Sequence, residues 1–227
     1  MCKTAFFTGT LRTASVSNEA RTPTFKRARE FRAGRACALE ALGRLGQASA
    51  EIPRAEDGRP LWPDGFVGSI SHTDNRAVAI VARSGDVLGV GVDVERYGRL
   101  DESLHSSILR SEEVRWIQSL PEQRMDWPTL FFSMKESIFK CLYPITRQWI
   151  DFLDVQIIPQ RERKTGRVEF PGGNVVLPED AQLRLRYFEG TDTCLTVCAL
   201  TSHAWAAQDF IFDVINPVAF AEFEIGL

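Results

Sequence analysis

The stretch VLGVGVDVERYGRL, residues 87–100, constrains the chain more than any other. Glycine and valine alternate and then give way to acid and valine. That is the period of a β-strand, whose successive side chains point to opposite faces. Val90, Val92 and Val94 share one face; Gly89, Gly91, Asp93 and Glu95 share the other. Two carboxylates side by side repel each other unless a cation stands between them. The two glycines clear the acidic face of bulk, so something can approach it. Oxygen-only ligands suit Mg²⁺, which takes one or two carboxylates together with water and substrate phosphate. A solvated strand end, with Arg96 and Arg99 close by, fits the same residues.

A second segment, FFSMKESIFK at 131–140, has helical spacing. Phe131, Met134, Ile138 and Cys141 form one apolar stripe expected to face the core. Phe132, Glu136 and Lys140 share another side, with Lys135 beside it. Glu136 and Lys140 suit either an i,i+4 surface pair, worth about 0.2–0.5 kcal/mol, or a third carboxylate for the metal with lysines for phosphate oxygens. A third segment, GSISH at 68–72, is a strand that ends in His72 at a loop. A neighbouring strand ends in the acids, so His72 and the carboxylates can meet at one rim.

The net charge is −3 and the pI about 5.7, which gives no reason to expect nucleic acid as a partner. The charge is uneven. Residues 21–35, RTPTFKRAREFRAGR, hold Arg21, Lys26, Arg27, Arg29, Arg32 and Arg35 against Glu30 alone. A local basic patch on a mildly acidic protein suits an anionic small molecule. The five cysteines, Cys2, Cys37, Cys141, Cys194 and Cys198, are odd in number and lack metal-site spacing, so they are expected to be reduced, several of them buried. No apolar run approaches 18 residues and no signal-like start is visible, so no membrane span and a cytoplasmic location are expected.

Thr22 and Pro23 predict a helix start, and the helix runs to about Leu45 before Gly46. Phe31, Ala38, Leu42 and Leu45 form its stripe, and Arg35 falls on the same stripe, where a charge needs a partner or a path to solvent. After a Pro- and Gly-rich loop at 51–66, strands are expected at Val67–Ser71, Ala77–Ala82 and Val87–Val94 as an antiparallel meander. Helices follow, one capped by Ser111, one opened by Pro128 and ended by Pro144. Strands return at Val155–Ile158, Arg167–Phe170, Leu183–Phe188 and Thr193–Leu200, with a turn at 190–192. The apolar tail 205–227 is expected to pack on the body. RAVAIVA (76–82) and TCLTVCAL (193–200) look like equivalent inner strands of two α+β halves, with a ligand site between the halves.

Taken together and in this order, GRPLWPDGFVGSISH (58–72), GVGVDVE (89–95) and FFSMKESIFK (131–140) resemble the 4'-phosphopantetheinyl transferase superfamily. The likeness is to its larger, pseudo-dimeric class and the enterobactin synthase component D-like, siderophore-synthetase branch. REFRAGRACALEAL (29–42) and WIDF (149–152) also look like family segments, and the resemblance spans about residues 25–155. It implies an α+β fold of two similar α/β halves related by a pseudo-twofold, each with a small antiparallel sheet packed on helices. Residues 1–100 would form the N-terminal half and 101–227 the C-terminal half.

It also implies transfer of the 4'-phosphopantetheine arm of coenzyme A to a serine of an apo carrier protein, with 3',5'-ADP leaving. Peptidyl, aryl and acyl carriers of siderophore, polyketide or fatty-acid pathways are all open as partners, and a monomer is expected. Asp93, Glu95 and Glu136 match the metal carboxylates, for Mg²⁺ or Mn²⁺. Glu136, Lys140 and Asp93 match the catalytic set, with Glu136 taking the serine proton. His72, preceded by Ser71, matches the histidine on a coenzyme A phosphate, Lys135 and Lys140 the lysines near the pyrophosphate, and Arg35, Arg54 and Arg27 the basic residues near the 3'-phosphate. Asp57 and Arg59 sit where related sequences vary. Phosphoryl transfer needs positioning and charge neutralisation above all. Another Mg²⁺-dependent phosphoryl enzyme and a silent carrier- or nucleotide-binding module are the alternatives; the absence of a P-loop or GxGxxG counts against kinases and dinucleotide enzymes.

Overall fold

Two antiparallel sheets stacked face to face, each covered on its outer side by a helix, place every residue of interest. The computed structural model describes residues 5–9, 23–47, 51–73, 76–121 and 125–202. Strands β1 (Ala5–Gly9), β2 (Phe66–Thr73) and β3 (Arg76–Arg83) form the first sheet in the order β1-β3-β2, with helix α1 (Pro23–Arg44) on its outer face. Strand β4 (Gly89–Arg96) begins the second sheet. Helices α2 (His105–Ile108), α3 (Ser111–Gln118) and α4 (Trp127–Thr146) follow, then β5 (Gln156–Gln160), β6 (Thr165–Glu169), β7 (Ala181–Glu189) and β8 (Thr193–Ser202). This sheet runs β4-β8-β7-β6-β5. The fold is α+β, with antiparallel sheets packed on helices.

Strand alternation explains the layering. Ala77, Ala79 and Val81 of β3 pack with Ala38, Ala41 and Leu42 of α1, while Val78, Ile80 and Ala82 face the other sheet. There they meet the valine side of β4 and Leu195, Val197 and Ala199 of β8. The opposite side of β8, with Cys194, Cys198 and Leu200, packs under Leu130, Met134 and Ile138 of α4. β3 and β8 are therefore buried on both faces, as expected of inner strands. Each fully buried valine or leucine contributes about 1.5–3 kcal/mol, so this double-faced burial holds the four layers together.

The structure corrects the expected meander. β2 and β3 form a hairpin, but β4 pairs with β8, from Gly89 opposite Leu200 to Arg96 opposite Thr193. The strand assigned to the N-terminal half thus belongs to the C-terminal sheet. β1, which has no legible periodicity, pairs with β3 along all five of its residues. α1 ends as expected: Gly46 adopts φ +89, its N–H reaches Gly43 O at 3.0 Å, and Gln47 N–H reaches Leu42 O at 3.0 Å. This is the 6→1 and 5→2 pairing that a left-handed glycine permits. Phe31 was expected on the core stripe but is 46% exposed, whereas Ala38, Leu42 and Leu45 are buried.

Two helix boundaries also differ. Pro144 lies inside α4, which continues to Thr146 and closes on Arg147 at φ 56, with its N–H on Tyr143 O. Ser111 is the first residue of α3 rather than its cap, which is Arg110. Pro128 sits at the start of α4 as expected, below the cap Asp126, whose carboxylate accepts from Thr129 N and Thr129 Oγ1. Cys37, Cys141, Cys194 and Cys198 are buried thiols outside any disulfide. No helix among the described residues is long and apolar enough to cross a membrane. Thr22, Cys2, Arg21, the side chain of Lys26 and the tail 205–227 lie outside the described residues.

Candidate active site

The glycine face of β4 is filled, not open. A Cβ on Gly91 would stand 1.9 Å from Ser137 O, and one on Gly89 would stand 2.8 Å from Cys141 O. The two glycines let the backbone of α4 lie directly on β4, which explains why bulk is missing there. This approach sets Asp93, one register further along the same face, beside the middle of α4. Lys140 Nζ lies 2.6 Å from Asp93 Oδ1 and 3.9 Å from Glu136 Oε2.

β2 completes the group from the other sheet. It runs beside the edge strand β4, and Val92 N–H donates to Ser69 Oγ at 3.1 Å. Two residues on, Ser71 Oγ donates to Asp93 Oδ1 at 2.8 Å and accepts from Lys140 Nζ at 3.2 Å. Strand alternation turns the next residue, His72, to the opposite side of β2. His72 lines a cavity of about 480 Å³ with Arg27, Phe31, Arg35, Arg54 and Glu30. Four of the basic residues expected on coenzyme A thus share one hollow against α1, while Ser71 faces the acids. His72 Nδ1 stands 3.7 Å from Glu30 Oε2. Arg35 stacks on Phe31 at 4.7 Å, its Nε is buried without a partner, and burial and then Arg54 lower its pKa. A guanidinium held at such a cost beside a second one suits a bound phosphate.

The acids fit a cation electrostatically. Asp93 Oδ2 is buried without a partner. Burial, then the Asp93 charge, pushes the Glu95 carboxyl up to about 8, against relief from Lys140. Burial also raises Glu136, again opposed by Lys140 and reinforced by Asp93. Lys140 itself is raised: burial opposes its charge, but Asp93 and Glu136 outweigh it. One lysine faces three carboxyl groups. Among the described residues no three His, Cys, Asp or Glu side chains converge as a ready-made metal cluster, and Lys140 bonds Asp93 between them.

Lys135 is a correction. Its side chain is fully buried, and Nζ donates to Glu113 Oε2 at 2.7 Å, Ile108 O at 2.8 Å and Phe152 O at 3.0 Å. All three ammonium protons are spent inside the protein, so none is left for a phosphate. Sequence reasoning placed it beside Glu136 because it follows the helix surface, but residues adjacent in a helix point about 100° apart. Its partner was missed. Glu113 accepts from Arg110 N at 2.9 Å and Ile157 N at 2.8 Å as well, so one carboxylate ties α3, α4 and β5 together. Along the chain Glu113 is only an acid in the first turn of α3, where the helix dipole favours a carboxylate. Asp57 also gains a role, accepting from Arg59, from Arg147 at 3.2 Å and from Tyr143 Oη at 3.5 Å, which links the loop 51–66 to the end of α4.

Comparison with known proteins identifies the family. A family model described as the 4'-phosphopantetheinyl transferase N-terminal domain matches residues 17–82, and one described as the 4'-phosphopantetheinyl transferase superfamily matches 89–198. The division falls before β4, where the structure also changes sheet. The 4'-phosphopantetheinyl transferase Svp of Streptomyces mobaraensis is 37% identical over 188 residues, covering 81% of this chain and 76% of that protein. The 4'-phosphopantetheinyl transferase PptT of Mycobacterium tuberculosis is 31% identical over 182 residues, covering 77% and 80%. Enterobactin synthase component D of Salmonella typhi is 39% identical over 121 residues, covering 51% and 48%. A chain that matches both family models in order, and a named transferase over most of both lengths, belongs to the 4'-phosphopantetheinyl transferase superfamily, the enzymes that move the phosphopantetheine arm of coenzyme A onto apo carrier proteins.

Proposed function

We propose that this transferase performs the reaction at the junction of β2, β4 and α4, with coenzyme A spanning the edge of β2. In this reading Arg27, Arg35 and Arg54 hold the 3'-phosphate in the hollow against α1, and His72 contacts a phosphate from the same side. Ser71 and Lys140 meet the pyrophosphate where the two sheets join. Asp93, Glu95 and Glu136 would hold Mg²⁺, or Mn²⁺ in its place, and the ion would neutralise charge on the pyrophosphate. Glu136, partly solvent-reached and with its pKa raised, accepts the proton of the carrier serine as the serine oxygen attacks the β-phosphate. Lys140 leaves Asp93 for the phosphate oxygens as 3',5'-ADP departs. The observation that carries the reading is Asp93 Oδ2, a buried carboxylate oxygen with no partner in the midst of two acids that burial and mutual repulsion hold above their ordinary range.

The same reading takes the chain as a monomer acting in the cytoplasm. Carriers of siderophore-type peptide synthesis come first among the partners, in line with the enterobactin synthase component D likeness. The test incubates the protein with coenzyme A, Mg²⁺ and apo carrier proteins, and weighs the carriers. A gain of one phosphopantetheine mass is expected, and Asp93→Ala or Glu136→Ala should abolish it without loss of fold. Near-normal transfer by either variant would refute the site.

A further inference from the structure

The loop 51–66 is tied at both sides to the helices that carry the site. On one side Arg35 of α1 donates from Nη2 to Pro53 O at 3.4 Å. On the other, Arg147 at the end of α4 donates to Asp57 Oδ2 at 3.2 Å, and Tyr143 Oη donates to the same oxygen at 3.5 Å. The Tyr143 ring is itself held, stacked on Phe139 with centroids 5.1 Å apart. Tyr143 lies about one turn beyond Lys140 on α4.

Between these ties the chain forms one stiff turn. Gly58 N–H reaches Ala55 O, Ala55 N–H reaches Arg59 O and Leu61 N–H reaches Pro53 O, each at 2.9 Å. Arg54 and Pro60 pair across it as a bridge. Gly58 adopts φ +90, and a Cβ there would stand 3.0 Å from Arg54 Nη2, so the Arg54 guanidinium lies against the turn where a side chain is missing. Asp57 closes the tip, accepting from Arg59 N at 3.3 Å and Arg59 Nε at 3.1 Å. A displacement of Asp57 is therefore passed on to Arg54. Arg54, Gly58 and Pro60 line the hollow opposite Arg27, Arg35 and His72. The charges of Arg35 and Arg54 repel there, so their spacing depends on how firmly the loop is fixed. Exposed ion pairs are weak one by one; here one carboxylate serves donors from both the loop and α4.

We infer that Asp57 is a positioning residue for coenzyme A: by tying the loop to Arg147 and Tyr143 of α4, it fixes Arg54 where the 3'-phosphate is held, at a set separation from Lys140. The inference rests on the reading of the hollow as the 3'-phosphate site. A loop released from α4 samples other positions, and apparent affinity falls with the fraction of time it is in place. Lys140, Asp93 and Glu136 hold one another without Asp57, so the chemical step after binding is untouched.

The test measures, by calorimetry on the whole protein, Kd for coenzyme A and for dephospho-coenzyme A, which lacks the 3'-phosphate, and separately kcat for carrier modification with coenzyme A. In Asp57→Asn the amide oxygen can still accept from Arg59 N–H, so the turn keeps its shape and only the charge is lost. Kd for coenzyme A should rise about fivefold, the scale of an exposed charge network, with kcat and Kd for dephospho-coenzyme A unchanged. Arg147→Gln should do the same, and the two substitutions together should do no more than either alone. An unchanged Kd for coenzyme A, an equal rise for both ligands, or additive effects of the two substitutions would each overturn the inference. Arg54→Gln tests the reading beneath it and should narrow the preference for coenzyme A over dephospho-coenzyme A by about tenfold. If that preference survives Arg54→Gln, the reading of the hollow falls and the inference with it. If it narrows in Arg54→Gln but is kept in full in Asp57→Asn, the inference alone falls.

Discussion

Lys140 and Asp93 come from segments 47 residues apart and touch at 2.6 Å because two glycines let α4 lie on the backbone of β4. Among the described residues, Lys140 is the cation placed among Asp93, Glu95 and Glu136. Lys140→Met should lower the rate of carrier modification by about 10²–10³-fold, the usual loss when one preorganised charge is removed from a transition-state site. Steady-state kinetics with a fixed carrier reads this; a loss under tenfold would place Lys140 outside the reaction.

The raised acids give a pH dependence of stability to the metal-free protein. The Glu95 carboxyl moves from its ordinary 4.5 to about 8 in the fold, so the native state binds that proton more tightly than the unfolded chain does. The stability linked to the proton is fully present below about 4.5 and is lost as pH rises through about 8. Glu136 shifts in the same direction. Melting temperature in EDTA should therefore fall across this window. The fall should be smaller in Glu95→Gln and smaller still with saturating Mg²⁺, which favours the ionised carboxyls. A flat profile in EDTA would contradict the burial of this charge cluster.

Gly91→Ala tests whether the glycine face serves helix packing. Its Cβ would press on Ser137 O at 1.9 Å, and backbone cannot swing aside as a side chain can. A loss of at least about 1–3 kcal/mol is expected, as for overpacked cores. Transfer should fall with it, because Asp93 and Lys140 sit on the two elements being forced apart. Chemical denaturation measures the first effect and carrier mass spectrometry the second.

Lys135→Met separates a structural lysine from a phosphate ligand. It leaves Glu113 buried and uncompensated, at a cost of about 3–5 kcal/mol. The ammonium is enclosed by Glu113, Ile108 O and Phe152 O, so KM for coenzyme A should stay unchanged at temperatures where the variant is folded. A raised KM with unchanged stability would return Lys135 to the coenzyme A site.

Much of the site was legible along the chain. Alternation put Asp93 and Glu95 on one face of β4, but His72, expected at one rim with them, lies on the opposite side of β2 in the hollow against α1, and Ser71 faces the acids instead. Helical spacing put Glu136 and Lys140 on one side of α4, and the Schellman end of α1 followed from Gly46. Arg35 was conspicuous as a charge on an apolar stripe, and it lines the hollow with Arg27, Arg54 and His72. What failed was partner choice. Glu113 and Lys135 look alike whether they face water or each other, because nothing local to either residue records a contact 22 positions away.

The sequence alone determined which side chains share a strand face or a helix side, since those periods of two and 3.6 are set by backbone geometry. It therefore determined that two acids and two glycines stand together on β4. Tertiary structure alone decided that β4 joins β8 rather than β3, that α4 occupies the glycine face, and that Lys140 rather than Lys135 reaches Asp93. Those outcomes depend on how closely backbones approach and on which buried charges find partners, and both are settled by packing between elements far apart in the chain.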